Sequence, residues 1–277
     1  MPAISTNIAA NSAVRYLNVN SNQETSALSK LSSGSRITSA SDDAAGLAIS
    51  TRISSDITTL QQAATNTAQA TSILQTADGG ASNISDILSR MKSLASESAS
   101  GTTTDSSRAY INSEFSQLTS EIDSIASGTR YSGQSLLDGT SAFAGSGVSV
   151  MVGSSSSDTI TISLSNLTTG TSGLAISALN VTTQSGATSA LTVLDSAIDK
   201  VSSARADIGA QESRFNFSSD SISTQTQNLQ SANSAIKDVD IASEQATLSS
   251  AEVKTQAAVS AEAAANQMPQ YLLKLLG

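Results

Sequence analysis

The chain has 277 residues, none of them His, Cys or Trp, and carries a net charge of −9 from 14 basic and 23 acidic side chains. Without His or Cys it lacks the usual ligands of zinc, haem and iron–sulfur groups and cannot assemble a Ser-His or Cys-His dyad, so no catalytic residue, metal or cofactor is expected. The acidic balance argues against nucleic acid and against an anionic membrane surface as partners.

Hydrophobic residues make up 38% of the chain, but much of that share is Ala, so thin helical seams are expected rather than a thick core. The two prolines, Pro2 and Pro269, stand near the extreme ends, which leaves the rest free to run long helices. No stretch approaches the ~18 consecutive apolar residues of a membrane-spanning helix. Met1–Tyr16 lacks the basic and apolar regions of a cleavable signal, so export is expected to bypass that route.

The apolar positions advance in alternating steps of three and four, the pattern of a coiled-coil-like seam. In the first segment Val14 and Leu17 share a phase with Leu28 and Leu31, while Ser21 and Glu24 weaken the middle. Ser32-Ser33-Gly34 ends the run. Asp42 and Asp43 then supply capping carboxylates for a second helix, close to the basic Arg36. Its seam reads Ile53, Ile57, Leu60, Ala64, Thr67, Thr71 and Leu74. The spacing slips by one residue at Asp78-Gly79-Gly80, then resumes as Ala81, Ile84, Leu88, Met91 and Ala95. A loop at Gly101–Thr104 follows, and Asp105 is expected to cap a third helix with seam Ile111, Phe115, Leu118, Ile122 and Ile125.

From Gly128 to about Gly186 the texture turns to Gly, Ser and Thr. Val148–Val152 and Thr159–Leu164 read as short strands joined by a hairpin loop at Gly153–Asp158. A seam then returns through Leu191, Leu194, Ile198, Val201, Ile208, Phe215, Ile222, Leu229 and Ile236. The interleaved Arg205, Glu212, Ser219, Thr226 and Asn233 are polar, so half of this seam faces solvent or a polar neighbour. The last stretch, Ile241–Gly277, is Ala-rich. Isolated amphipathic helices are marginal in water, so both end segments need partners: each other, and copies in neighbouring subunits.

Four ordered blocks carry a resemblance. Ser26–Ile37 (SALSKLSSGSRI), continuing as Ala40–Ile49 (ASDDAAGLAI), closely resembles bacterial flagellin. Arg130–Leu137 (RYSGQSLL), Ala206–Asn216 (ADIGAQESRFN) and Ala265–Leu276 (ANQMPQYLLKLL) resemble further blocks of that family. The implied fold is mainly α: a long rod of antiparallel coiled-coil-like helices with a small β-hairpin insert, its terminal helices forming a two-helix filament-core layer. The expected domains are 1–41 with 237–277 as that layer, 42–140 with 187–236 as the rod, and 141–186 as the insert, with no large outer domain.

The resemblance implies a structural subunit that polymerises into the extracellular flagellar filament for swimming motility, with ends disordered until they join the filament. The implied partners are copies of itself, the flagellar export apparatus, an export chaperone, and the filament cap and junction proteins. Self-assembly is assigned to Ile4, Ile8, Val14, Leu17, Leu28 and Leu31 on one arm, and to Leu248, Val259, Met268, Leu272 and Leu275 on the other. An immune-receptor motif is implied at Arg90, Leu94 and Glu114. Lys92 and Ser93 depart from the family's Arg and Glu, which predicts weakened recognition. Ser154, Ser155, Ser156, Ser157, Thr168 and Thr169 are candidate glycan acceptors, as in some flagellins. The alternatives are a hook–filament junction protein with the same helical plan and, from another class, a secreted helical effector or adhesin.

Overall fold

The computed structural model describes residues 7–276, with side chains described through residue 268. Five helices are present among these residues: α1 (Ile8–Ser33), α2 (Ala44–Ala99), α3 (Asp105–Gly128), α4 (Gln184–Lys237) and α5 (Ile241–Leu276). The chain divides into two compact units, one joining Met1–Ile57 to Gln227–Gly277 and the other comprising Thr58–Thr226. The divisions fall inside α2 and α4 rather than in the connecting loops, and the segment 141–186 belongs to the second unit.

The first unit is built on α1 and α5. Asn7 caps α1, its side chain accepting from the Ala10 N–H, and Gly34 ends it with φ of 68°, a left-handed conformation that suits Gly. Asp240 caps α5 through bonds from the Ala242 and Ser243 N–H groups at 3.0 and 3.2 Å. The two helices run antiparallel: Asn7 donates to the Ala265 carbonyl at 2.8 Å, and Lys30 meets Glu244 at 3.9 Å. The connecting loops are tied together by a backbone bridge, Arg36 N–H to Lys237 carbonyl at 2.6 Å and Val239 N–H to Gly34 carbonyl at 3.1 Å. Asp43 caps α2 as expected, accepting from the Gly46 N–H at 2.8 Å. Arg36, however, donates to the Ile236 carbonyl at the end of α4 rather than pairing with the acidic residues.

The second unit packs the remaining lengths of α2 and α4 with α3. Its buried stripe on α2 reads Leu60, Ala63, Thr67, Ala70, Leu74, Ala77, Ala81, Ile84, Leu88, Met91, Ala95 and Ser98, in unbroken steps of three and four. The slip expected at Asp78–Gly80 is therefore absent. Choosing Ala64 and Thr71 over Ala63 and Ala70 created it: a size-based reading prefers Thr71 to Ala70, and size does not distinguish Ala63 from Ala64. Thr104, not Asp105, caps α3: its Oγ1 accepts from the Ser107 N–H, while Asp105 pairs with Arg108. The polar residues expected to interleave the α4 seam do meet polar neighbours, although Ala204 rather than Arg205 is the buried one. Arg205 forks onto Asp78 at 2.8 and 3.3 Å, Glu212 accepts from Gln75 at 3.0 Å, and in the first unit Asn233 accepts from Ser50 at 2.8 Å.

Between α3 and α4 the chain makes two small antiparallel hairpins. β1 (Arg130–Tyr131) pairs with β2 (Gln134–Ser135) around Ser132 and Gly133, both with positive φ, the turn that matches strand twist. β3 (Val148–Met151) pairs with β4 (Thr159–Ile162), Val148 opposite Ile162, across the loop foreseen in the sequence. The rest of the segment is irregular yet buried, with Phe143, Leu164, Leu167, Leu174, Ile176 and Val181 in the core. Buried irregular backbone needs hydrogen-bond partners, and helix side chains supply them. The Gln211 amide bonds both the N–H and the carbonyl of Ser163 at 3.0 Å, Asn112 accepts from the Val181 N–H at 2.9 Å, and Lys200 donates to the Gly173 carbonyl at 2.9 Å.

Candidate self-assembly surface

The α1–α5 pair buries small side chains and leaves large ones uncovered. Its seam on α1 runs through Ala10, Ala13, Leu17, Asn20, Glu24, Ala27 and Leu31; on α5 it runs through Glu244, Leu248, Ala251, Thr255, Ala258, Glu262 and Ala265. Alanines occupy six of these fourteen positions. They let the two backbones approach closely but remove little apolar surface from water, since burial contributes in proportion to area, at about 25 cal/mol per Å². Meanwhile Ile8, Val14, Tyr16, Val19 and Leu28 on α1, with Ile241, Val253, Val259 and Met268 on α5, stand exposed.

The residues assigned to self-assembly from the sequence therefore separate into two groups. Leu17, Leu31 and Leu248 lie in the seam inside the subunit. Ile8, Val14, Leu28, Val259 and Met268 are uncovered. Val14 and Leu28 do not share a phase with Leu17 and Leu31, because Ala13 and Ala27 hold those seam positions. Ile4 lies outside the described residues, as do the side chains of Leu272 and Leu275. The sequence reading missed Tyr16, Val19, Ile241 and Val253; the signal for them was their place off the alanine stripe.

The other candidate positions are in the second unit. Arg90 donates to Glu114 through Nε and Nη2 at 3.0 and 2.7 Å, and both side chains are about half exposed. Leu94 is in the core, 2% exposed, so it offers no surface of its own. Ser154–Ser157 form the exposed β3–β4 loop, and Thr168 is half-buried with its hydroxyl on Asn166. Thr169 is 2% exposed, with its N–H and hydroxyl bonded to the Asp123 carboxylate at 2.8 and 2.7 Å. The hydroxyl's bond and the burial would be lost to a sugar, which removes Thr169 from the candidate acceptors. No described helix is long and apolar enough to cross a membrane.

Fold and surface together define a helical structural protein whose two ends form one antiparallel pair with uncovered apolar sides. Residues 4–142 match the bacterial flagellin N-terminal helical region, and residues 191–276 match the bacterial flagellin C-terminal helical region. The chain is 37% identical to a flagellin of Halalkalibacterium halodurans and 36% identical to a flagellar filament 30.7 kDa core protein of Treponema maltophilum, each over 99% of both chains. It is also similar to the crystal structure of Bacillus cereus flagellin, with a TM-score of 0.51 and 34% identity, covering 61% of this chain and 94% of that one. The chain belongs to the bacterial flagellin family, a family of structural proteins rather than enzymes. Neither the junction-protein alternative nor the effector or adhesin alternative is favoured by these matches.

Proposed function

We propose that this protein polymerises by burying the outer sides of α1 and α5 against further copies of itself. It is a structural subunit of the bacterial flagellar filament and serves swimming motility. One observation carries the mechanism: small and polar residues hold eleven of the fourteen internal seam positions while larger apolar side chains of the same two helices remain in water. A pair so thinly sealed is marginal alone and gains most of its stabilisation when a neighbour covers those side chains. Residues 1–41 with 237–277 form the filament-core layer, 42–140 with 187–236 the helical rod domain, and 141–186 its insert. Ile4, Leu272 and Leu275 are assigned to self-assembly on the family resemblance. The family resemblance supports further partners in the export apparatus, an export chaperone, the filament cap and the junction proteins, and supports an extracellular filament as the destination.

Leu28→Ser tests the mechanism. Leu28 is 58% exposed in the subunit, and covering that fraction of a Leu contributes about 1 to 2 kcal/mol. The critical concentration for polymerisation, read by sedimentation, should rise about five- to thirty-fold, with the circular dichroism of the monomer unchanged. An unchanged critical concentration refutes the assignment of this surface.

Two lesser readings accompany it. Arg90 and Glu114 present the receptor-contact pair, supported by their shared exposure, and Lys92 and Ser93 weaken recognition; nanomolar potency in a reporter-cell titration overturns that weakening. Ser154–Ser157 carry O-linked sugars, supported by the accessible hydroxyls of the β3–β4 loop. An intact mass equal to the bare chain, in filaments from the native host, rules this out.

A further inference from the structure

Four Asn-X-Ser/Thr triplets occur in the chain: Asn83-Ile84-Ser85, Asn166-Leu167-Thr168, Asn180-Val181-Thr182 and Asn216-Phe217-Ser218. Such a triplet is the acceptor pattern for an N-linked sugar, and it serves where a surface segment offers its Asn and its hydroxyl together. The fold separates the four. Asn83 and Asn216 stand in the interiors of α2 and α4. Residues two apart on a helix point about 200° from one another around its axis, so these Asn and Ser side chains face opposite ways. Asn166 and Thr168 belong to the irregular segment but are both half-buried. The Asn166 amide packs against Gly139, where even a Cβ would lie 2.6 Å from its Nδ2. A sugar on Asn166 would have to break that packing.

Asn180-Val181-Thr182 is built differently. It lies in the loop that leads into α4, and Asn180 and Thr182 are both exposed. Val181 between them is fully buried. Its N–H donates to Asn112 Oδ1 at 2.9 Å, and its carbonyl accepts from the buried Ser98 hydroxyl. Anchoring the middle residue leaves its two neighbours on the surface. Thr182 donates to Asn180 Oδ1 from its hydroxyl at 3.1 Å and from its N–H at 3.3 Å, an Asx-turn. The amide is thus held by its oxygen, while its Nδ2 meets no acceptor among the described residues.

We propose that Asn180 is a modification site that takes an N-linked sugar from a glycosyl diphosphate, through a transferase that reads Asn180 and Thr182 together. A C–N bond forms between Nδ2 and the anomeric carbon of the sugar. The bond from that carbon to the diphosphate oxygen breaks, the diphosphate leaves with the electron pair, and one Nδ2 proton passes to solvent. The product keeps the amide oxygen that Thr182 holds, and the Val181 anchor is untouched. No buried group is uncovered, in contrast to Thr169, whose hydroxyl is bonded to Asp123 in the core.

Peptide mass mapping of the full-length chain from its native host tests this, with fragmentation that leaves the glycosidic bond intact. The peptide spanning Asn180 should carry the added mass of at least one sugar residue, localised to Asn180 and separate from the β3–β4 loop. Asn180→Gln and Thr182→Ala should each abolish that increment. Thr182→Ser should retain it, because serine keeps the hydroxyl. Host cytosol with added nucleotide sugars, or host membranes, should reproduce the transfer on unmodified recombinant chain. The active fraction then tells a nucleotide carrier of the diphosphate from a lipid one, and inactivity of both counts against the proposal. A bare Asn180 peptide from the unsubstituted chain overturns it without requiring any variant to fold. So does an increment lost in Thr182→Ala but kept in Asn180→Gln, which places the sugar on the Thr182 hydroxyl instead.

Discussion

Gly79 and Gly80 are adjacent in the interior of α2, yet the structure predicts opposite effects for the same substitution. A Cβ on Gly79 meets nothing within 4 Å, and the residue is exposed. Gly79→Ala should therefore stabilise by about 1 kcal/mol, the helix-propensity difference between Gly and Ala. Gly80 is buried, and a Cβ there would meet Thr129 Oγ1 and lie 2.9 Å from both Thr129 Cγ2 and Leu137 Cδ1. Thr129 cannot swing aside freely, because its hydroxyl donates to the Ile125 carbonyl at 2.7 Å, and Leu137 is fully packed. Overpacking of this kind costs about 1 to 3 kcal/mol, which cancels or exceeds the propensity gain. The two alanine variants should differ by that amount, or about 2 to 12 °C in Tm at the 2–4 °C per kcal/mol of a unit this size. Thermal unfolding followed by circular dichroism at 222 nm reads the difference. Equal shifts for Gly79→Ala and Gly80→Ala would refute the close packing of Thr129 and Leu137, on either side of the β1–β2 hairpin, against α2 at Gly80.

Arg108 is buried at the loop between α2 and α3, where it donates to the Ser98 and Ser100 carbonyls at 2.9 and 3.0 Å and to Asp105 at 2.9 Å. Arg108→Ala should cost about 2 to 3 kcal/mol, because those carbonyls lose their donor where water reaches poorly; a urea midpoint that does not move contradicts this. The Asp42 carboxylate accepts from the Thr38 hydroxyl and from the Ser39 and Thr38 N–H groups, which together hold its pKa down to about 2 from the usual 3.8. A folded pKa below the unfolded one means the loop gains stability above about pH 3.8 and loses it as pH falls through about 2. The Asp42 carboxyl carbon should titrate with a midpoint near 2 by NMR, and Thr38→Val should raise it; an ordinary midpoint in the unsubstituted chain rejects the account.

Much of this architecture was legible before any coordinates. Steps of three and four mark each helix because they keep apolar residues on one face. Gly34, Gly101 and the Gly153–Asp158 loop interrupt those steps for reasons of backbone freedom and turn chemistry alone. The family resemblance, likewise, rests on strings of residues and not on their placement.

What only the tertiary structure decided is which of two neighbouring residues enters each seam. Ala13 rather than Val14, Ala27 rather than Leu28, Ala70 rather than Thr71, and Ala204 rather than Arg205 turn inward. Adjacent residues on a helix differ by only about 100° around its axis. The choice therefore depends on how closely the partner helix approaches. Alanine permits the close approach, and a reading by side-chain size favours the larger neighbour. The path of residues 136–183 was hidden for a related reason: long-range bonds from Asn112, Asp123, Lys200 and Gln211 hold it, and no local pattern announces them. Sequence determined where helices run and stop, whereas the distance between helices determined which side chains remain for a neighbour to cover.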